Sequence, residues 1–368
     1  DHRRTPNQLN VLFIMLSNQQ PFTLRTPSNV GIRTSAAYIS TQWTDGHDHF
    51  NQEKEDIVTA AIARCTDQQI DDTGARVNGN NHYMHVLCNP HCCAFFTTER
   101  KDRLTVLDIF RNFAPRELLY NDDAIDLLDG LNLPRKYRQL IERHFDKNKQ
   151  MGERDLDNLL VPIKLGPLQQ RRVKEACAIA AYRAQTAIPV TRALIRDNTH
   201  QFKLLTETLG SCWVHDGRHD TKLNPNITDK NTRYEAFDTL FSTETAFEQL
   251  NARIAKTSAK RSERLVNFEQ PTLPLHNNAS ALAARIQASA KDVSLHTKSV
   301  AGTKIKDSLM TISQTAKKWG VNTDEYIRDR VSGEFKLPSL AELIQQKSQA
   351  DKAADLCLSS RVETGPTL

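Results

Sequence analysis

The chain has 368 residues, with 49 Lys and Arg against 44 Asp and Glu, for a formal charge of +5 at pH 7. At 39% hydrophobic and 25% charged residues, it is long enough to bury a large core and too apolar to remain disordered. Its longest early apolar run, Val11 to Leu16, is far short of the roughly 20 residues of a membrane-spanning helix, and no secretion signal is recognisable.

The basic excess is mild, with a pI near 8.8. It is compatible with a phosphate-rich partner but does not establish one. Local clusters at Arg171, Arg172 and Lys174, and at Lys256, Lys260, Arg261 and Arg264, read first as solvated helix faces. The seven cysteines are odd in number and several lie beside apolar residues, which points to reduced thiols in an intracellular compartment. Cys88, His91, Cys92 and Cys93 invite a zinc reading, but no second pair follows at useful spacing. Adjacent Cys92 and Cys93 would face opposite ways on a strand, so core or hairpin positions are favoured over metal ligands.

In chain order, residues 1–55 form an N-terminal segment of uncertain fold, and a short amphipathic helix is expected from Glu53 to Ala63. The stretch after it predicts a strand ending at Asp71, a turn or hairpin from Gly74 to Asn80, and a strand from Tyr83 to Cys88. A turn at Asn89-Pro90, a strand from Cys92 to Phe96 and a helix from about Leu104 to Phe110 follow. Residues 115–186 read as almost wholly helical. Strand character returns at Ala193 to Ile195 and ends on Asp197, before another mainly helical stretch to about residue 266. Later helices are expected after Asn278 and across Ser308 to Trp319, with a short helix and a polar tail from Ser339 onward. Strands followed by a helix, then a distant further strand, describe an α/β fold with a mixed sheet and flanking helices.

Three acids end predicted strands. Asp71 and Asp72 precede Thr73-Gly74, which is good turn chemistry, and Asp197-Asn198 could simply cap a helix. As a pair at adjacent strand ends, Asp71 and Asp197 gain a second reading, because carboxylates can share Mg²⁺, a hard cation that prefers oxygen. Two such ions bridged by a phosphate activate a water or a 3′-hydroxyl for in-line transfer. The segment Cys212 to His219 adds Arg218 or His219 as phosphate holders, and Asn277 or Asn278 is a natural N-cap for the helix after it.

These residues resemble, in order, the transposases of the insertion sequence 66 family. The resemblance is carried by Asp71-Asp72-Thr73-Gly74-Ala75-Arg76, Asp197 with Gln201-Phe202, Cys212 to His219, and Leu275-His276-Asn277-Asn278. It continues through Lys291-Asp292-Val293-Ser294, Thr315 to Val321, Tyr326, Arg328-Asp329-Arg330, Ser332-Gly333 and Pro338-Ser339-Leu340, spanning about residues 65 to 345. It implies a ribonuclease-H-like mixed sheet with large helical insertions, an Asp-Asp-Glu triad holding two Mg²⁺ ions, and DNA strand cleavage followed by strand transfer. Asp71 and Asp197 stand at the two aspartate positions, and both would ligate metal. Arg76, Arg218, His219, Asn277, Asn278, Arg285 and Lys291 fall on the nucleic-acid-binding side.

The chain departs from that pattern at the third acid. The family's Asn-Asn-Pro-Ala-Glu-Leu is here Asn277-Asn278-Ala279-Ser280-Ala281-Leu282, so Ala281 occupies the glutamate position. A methyl group ligates no metal, and the stretch from Ala284 to Lys291 is less basic than in the family. Natural decay or domestication is therefore favoured over an engineered glutamate-to-alanine trap. The expected reading is a transposase-derived DNA-binding protein with impaired catalysis. An active transposase captured as a mutant and a domesticated scaffold for protein interaction are the alternatives. A homodimer or larger assembly, possible protein partners if domesticated, and a bacterial cytoplasmic, nucleoid-associated location follow from the same resemblance. The corresponding partition is 1–55 N-terminal segment, 56–113 first part of the core, 114–190 helical insertion and 191–219 second part of the core. Residues 220–270 form a second insertion, 271–335 the C-terminal part of the core with its helices, and 336–368 the tail.

Overall fold

The structure, a computed structural model, describes residues 48–197, 199–212, 273–294 and 297–347, with residues 200 and 290–294 described by backbone alone. Its centre is a five-stranded mixed sheet. The strands are β1 (Asp67–Val77), β2 (Asn80–Cys88), β3 (Cys93–Thr98), β6 (Ala193–Arg196) and β7 (Thr208–Ser211), in the spatial order β3-β2-β1-β6-β7. β1, β2 and β3 form an antiparallel meander, whereas β6 runs parallel to β1 and β7 parallel to β6. The fold is thus α/β with a multi-strand mixed sheet and flanking helices.

β1 corrects the expectation that its strand stops at Asp71. Asp71, Asp72, Thr73 and Gly74 all pair with β2, opposite Val86, His85, Met84 and Tyr83. The chain turns instead at Asn78-Gly79, where φ is 48° and 78°. Two consecutive residues with positive φ make the tight hairpin turn whose twist matches the flanking strands, and Asn-Gly is its preferred sequence. Alternation then sorts the sheet into two faces. Ile70, Leu87, Ala94, Phe96 and Leu194 bury toward one side. Ala75, Met84, Val86, Cys88, Cys93 and Phe95 bury toward the other. Cys92 packs with a different cluster from Cys93, as expected for neighbours pointing opposite ways.

The first face is covered by part of α1 (Asp48–Arg64), by α2 (Arg103–Phe110) and by the long α6 (Pro167–Ala184). Between α2 and α6 lie α3 (Asp122–Gly130), α4 (Arg135–His144) and α5 (Glu153–Leu160). This block is not wholly helical. β4 (Leu118–Leu119) pairs antiparallel with β5 (Gln150–Met151), a ladder too short to give a period-two signal. The other face carries α7 (Asn278–Ser294), whose Ala283 and Ala284 join the cluster on β1 to β3. Small side chains there let helix and sheet approach closely.

α8 (Val300–Lys318) lies along the open edge of β3. Its Thr315, Thr311 and Asp307, spaced four apart on one helix face, accept the outward N–H groups of Cys93, Phe95 and Thr97 at 3.3, 3.0 and 2.6 Å. An edge strand left bare is a template for aggregation, and here side chains satisfy it. α8 also packs on α1 and on α9 (Thr323–Ser332), in a second core with the helical residues 340–347. Among the described residues no helix is long and apolar enough to cross a membrane.

Candidate functional site at the heads of β1 and β6

The parallel pairing of β1 with β6 matches Asp67, Gln68 and Gln69 with Ala193, Leu194 and Ile195. Continuing that register by two residues sets Asp71 level with Asp197, the residue directly after β6. The two carboxylates sense one another, since the Asp197 charge is among the causes that raise Asp71. Burial is the largest cause, and together they push Asp71 from the ordinary carboxylate value up to about 6, against a hydrogen bond from the Asp72 backbone that pulls it down. Asp71 Oδ1 accepts from Asp72 N at 2.9 Å. Asp197 Oδ1 accepts from the hydroxyl and N–H of Thr199 at 2.7 and 3.3 Å. One oxygen of each carboxylate is thereby fixed locally.

Asp72 belongs to the opposite face. It pairs with buried His85 across β2, and its oxygens are taken by Lys101 Nζ at 3.1 Å and Gln201 Nε2 at 2.8 Å. Its place and partners mark it as structural. Gln69, two residues before Asp71, lies on the same face as Asp71, and its buried Oε1 has no hydrogen-bond partner. Sequence reading passed over Gln69, whose only signal is the two-residue spacing from Asp71.

Asn277 enters this cleft from the start of α7. Its backbone carbonyl accepts the helix N–H of Ala281 at 2.9 Å, as an N-cap residue's does. The expected side-chain cap is absent, however. Its Nδ2 instead donates to the Ile70 carbonyl at 3.2 Å, its Oδ1 has no partner, and the residue is 0% exposed. The segment before α7 runs from β6, where Leu273 packs with Ala193 and Ile195, to this contact on β1. Ala281, one turn further on, shares the helix face of Asn277 and Ala284 and is half-buried.

The remaining expected site residues are dispersed. Arg76 is exposed near the hairpin end of β1, five residues and roughly 17 Å along the strand from Asp71. Its carbonyl accepts from Thr297 N at 3.3 Å, beyond α7. Asn278 is half-buried and Arg285 exposed on α7. Arg218 and His219 lie outside the described residues, as does the Lys291 side chain.

The site therefore brings together Asp71, Asp197 and Asn277, all oxygen donors of the kind a hard divalent cation prefers. Among the described residues no group of three or more His, Cys, Asp or Glu is arranged to hold a metal ion, so the carboxylates fit such an ion in kind but fall short in number. Cys88 and Cys93 form a direct cross-strand pair with Sγ atoms 3.2 Å apart, in line with a core position. That contact, and after it burial, push the Cys88 thiol up, which makes it a poor nucleophile and a poor metal ligand.

No protein-family model and no solved structure matches the chain. It is similar to the uncharacterized protein y4jO of Sinorhizobium fredii (strain NBRC 101917 / NGR234), at 26% identity over 312 residues that cover 76% of this chain and 96% of that protein.

Proposed function

We propose that the chain is a transposase-derived DNA-binding protein with a ribonuclease-H-like core, in which the strand-cleaving site keeps two of its three carboxylates. The observation that carries this reading is the β1–β6 register, whose last pair, Gln69 with Ile195, stands two residues before Asp71 and Asp197, although 126 residues separate the two acids. Support comes from the sheet, in which three antiparallel strands are followed by two parallel ones in the order 3-2-1-6-7. It comes also from α7, which packs on β1 with position 281 on the face that leans toward Asn277. Cα–Cβ bonds tilt toward a helix's N-terminus, so a longer acidic side chain at 281 would reach back toward the two aspartates.

Asp71 and Asp197 would hold Mg²⁺, which when bound supplies charge for activating a water or 3′-hydroxyl at a phosphodiester. The chain's own part is to hold two acceptor oxygens in register, with Thr199 and the Asp72 N–H fixing each carboxylate's orientation. With Ala281 in third place the site lacks one negative charge, and cleavage is weakened or lost. DNA is the partner, a homodimer or larger assembly the working form, and the bacterial cytoplasm, at the nucleoid, the location.

A second reading, the scaffold retained for protein contacts, is favoured by one feature. Leu275, Leu282 and Ile286 are 50%, 57% and 39% exposed on and just before α7, and exposed apolar residues grouped at one site often mark interaction surfaces.

Fluorescence anisotropy with labelled duplex and branched DNA, titrated over a range of salt, tests the proposal. Binding that weakens linearly in log salt, with a slope of about 0.9 per phosphate contact, is expected. An absence of binding at low salt would leave the protein-contact reading in its place.

A further inference from the structure

The direction of each backbone group around Asp71 follows from the ladder. Cys93 N–H bonds outward to Thr315, so Cys93 and Cys88 are a non-hydrogen-bonded pair and Cys88 turns its backbone groups toward β1. Gln69, opposite Cys88, and Asp71, opposite Val86, therefore exchange hydrogen bonds with β2. Ile70, between them, turns its carbonyl the other way, toward β6. β6 ends at Arg196, so the Ile70 carbonyl opens into the gap where β6 leaves β1, between Asp71 on one side and Asp197 on the other.

The Asn277 carboxamide occupies that gap. Its nitrogen is spent on the Ile70 carbonyl at 3.2 Å, which fixes the plane of the amide. Its oxygen is buried with no partner. A buried carbonyl oxygen left without a donor costs free energy, and native structures rarely keep one without a reason. The carbonyl that Asn277 holds directly precedes Asp71 in the chain, and Asp197 directly follows the neighbouring strand β6. Asp71 and Asp197 each have one oxygen engaged by a neighbouring N–H or hydroxyl and, among the described residues, no donor on the other. Gln69 Oε1, on the same face, is a second buried oxygen with no partner. The heads of β1 and β6 thus carry several oxygens without a donor among the described residues, a set that a hard cation would satisfy.

We infer that Asn277 Oδ1 is the third protein oxygen of a divalent-cation site with Asp71 and Asp197, a neutral ligand acting where position 281 offers only a methyl group. The inference rests on the functional reading above and adds to it a ligand from outside the three acidic positions. With two carboxylates and one amide the site carries two negative charges instead of three, so a single ion of modest affinity is the occupant. Amide carbonyls ligate hard divalent cations readily. Asn277 is placed for it by the strand contact, which holds the amide whether or not an ion is present.

Mn²⁺, titrated into the full chain and followed by electron paramagnetic resonance, reports free and bound ion directly. The parent is expected to bind one Mn²⁺, Asp71→Asn to bind none, and Asn277→Ala to bind at least tenfold more weakly while keeping the parent's circular dichroism. Crystals of the parent grown with Mn²⁺ provide a readout that needs no variant. An anomalous peak within bonding distance of Asp71, Asp197 and Asn277 Oδ1 is expected. A peak that omits Asn277, an unchanged affinity in Asn277→Ala, or no bound ion at all would overturn the inference. DNA anisotropy on the same samples separates the two proposals, because retained DNA binding would leave the functional reading standing while this one fell.

Discussion

Asp71 sits in a setting that works against its own ionisation. Its ordinary value of 3.8 rises to about 6, first through burial and then through the charges of Asp197 and Asp72. A carboxyl whose folded value lies above its unfolded value stabilises the fold fully below about pH 4, and that contribution is lost as pH rises through about 6. Two units would correspond to nearly 3 kcal/mol. Asp71 keeps part of its surface in water, so a screened cost on the order of 1–2 kcal/mol is the reasonable magnitude. Asp71→Asn should therefore raise stability to urea by that amount at pH 7.5 and leave it nearly unchanged at pH 4. Equal effects at both values would mean that burial of charge is not what strains this position. Both aspartates could be picked out in the sequence as acids at the ends of predicted strands, Asp71 after Ile70 and Asp197 after Ala193 to Ile195, and their meeting needed only adjacent strands. The roles of Gln69 and Asn277 were not legible there. An orphaned oxygen is a property of register, and the sequence pattern around Asn277 points as readily to a helix cap.

At the scale of elements, side-chain alternation set most boundaries, but turn chemistry in β1 was outvoted by pairing. Asp71-Asp72-Thr73-Gly74 has every local preference for a turn, yet it lies mid-strand opposite Val86 to Tyr83. The long β2 partner and the two-sided burial of Ile70 and Ala75 outweigh that preference, and the true turn falls on the stronger signal at Asn78-Gly79. The edge of β3 shows a device that no local pattern could disclose. α8 places acceptors at 307, 311 and 315 against alternate strand N–H groups, linking residues more than 200 positions apart. Thr311→Val keeps the shape and removes the acceptor, leaving the buried Phe95 N–H unpaired. A loss of about 1–2 kcal/mol is expected, together with faster amide exchange at Phe95. Thr311→Ser should recover most of both. A Thr311→Val protein as stable as the parent would show that water reaches this edge and satisfies it.

Across the whole molecule, three distant segments converge on one place: β1, the end of β6, and the start of α7. The layered order helices–sheet–helix follows from strands with two apolar faces, and it was legible in the continuous apolar runs of β2 and β3. The two-residue β4–β5 ladder was not, since a strand that short carries no period. The mixed sheet puts its antiparallel meander on one side and its parallel strands on the other, so β1 is central and buried on both flanks. A carboxylate placed there is held by neighbours on every side, which is what a site needs if it must keep its geometry while binding a charged polymer. Leu275, Leu282 and Ile286 nearby make the same region a natural place for protein contact if DNA contact has been lost.

The measurement that bears most directly on the proposed strand-cleaving site is cleavage of labelled duplex and branched DNA with Mg²⁺ or Mn²⁺, comparing the parent with Ala281→Glu. Little or no cleavage by the parent, cleavage by Ala281→Glu, and its loss again when Asp71→Asn is added would show that Asp71, Asp197 and the head of α7 form one site lacking a single ligand. A folded Ala281→Glu protein that binds DNA and metal yet cleaves no strand would contradict it.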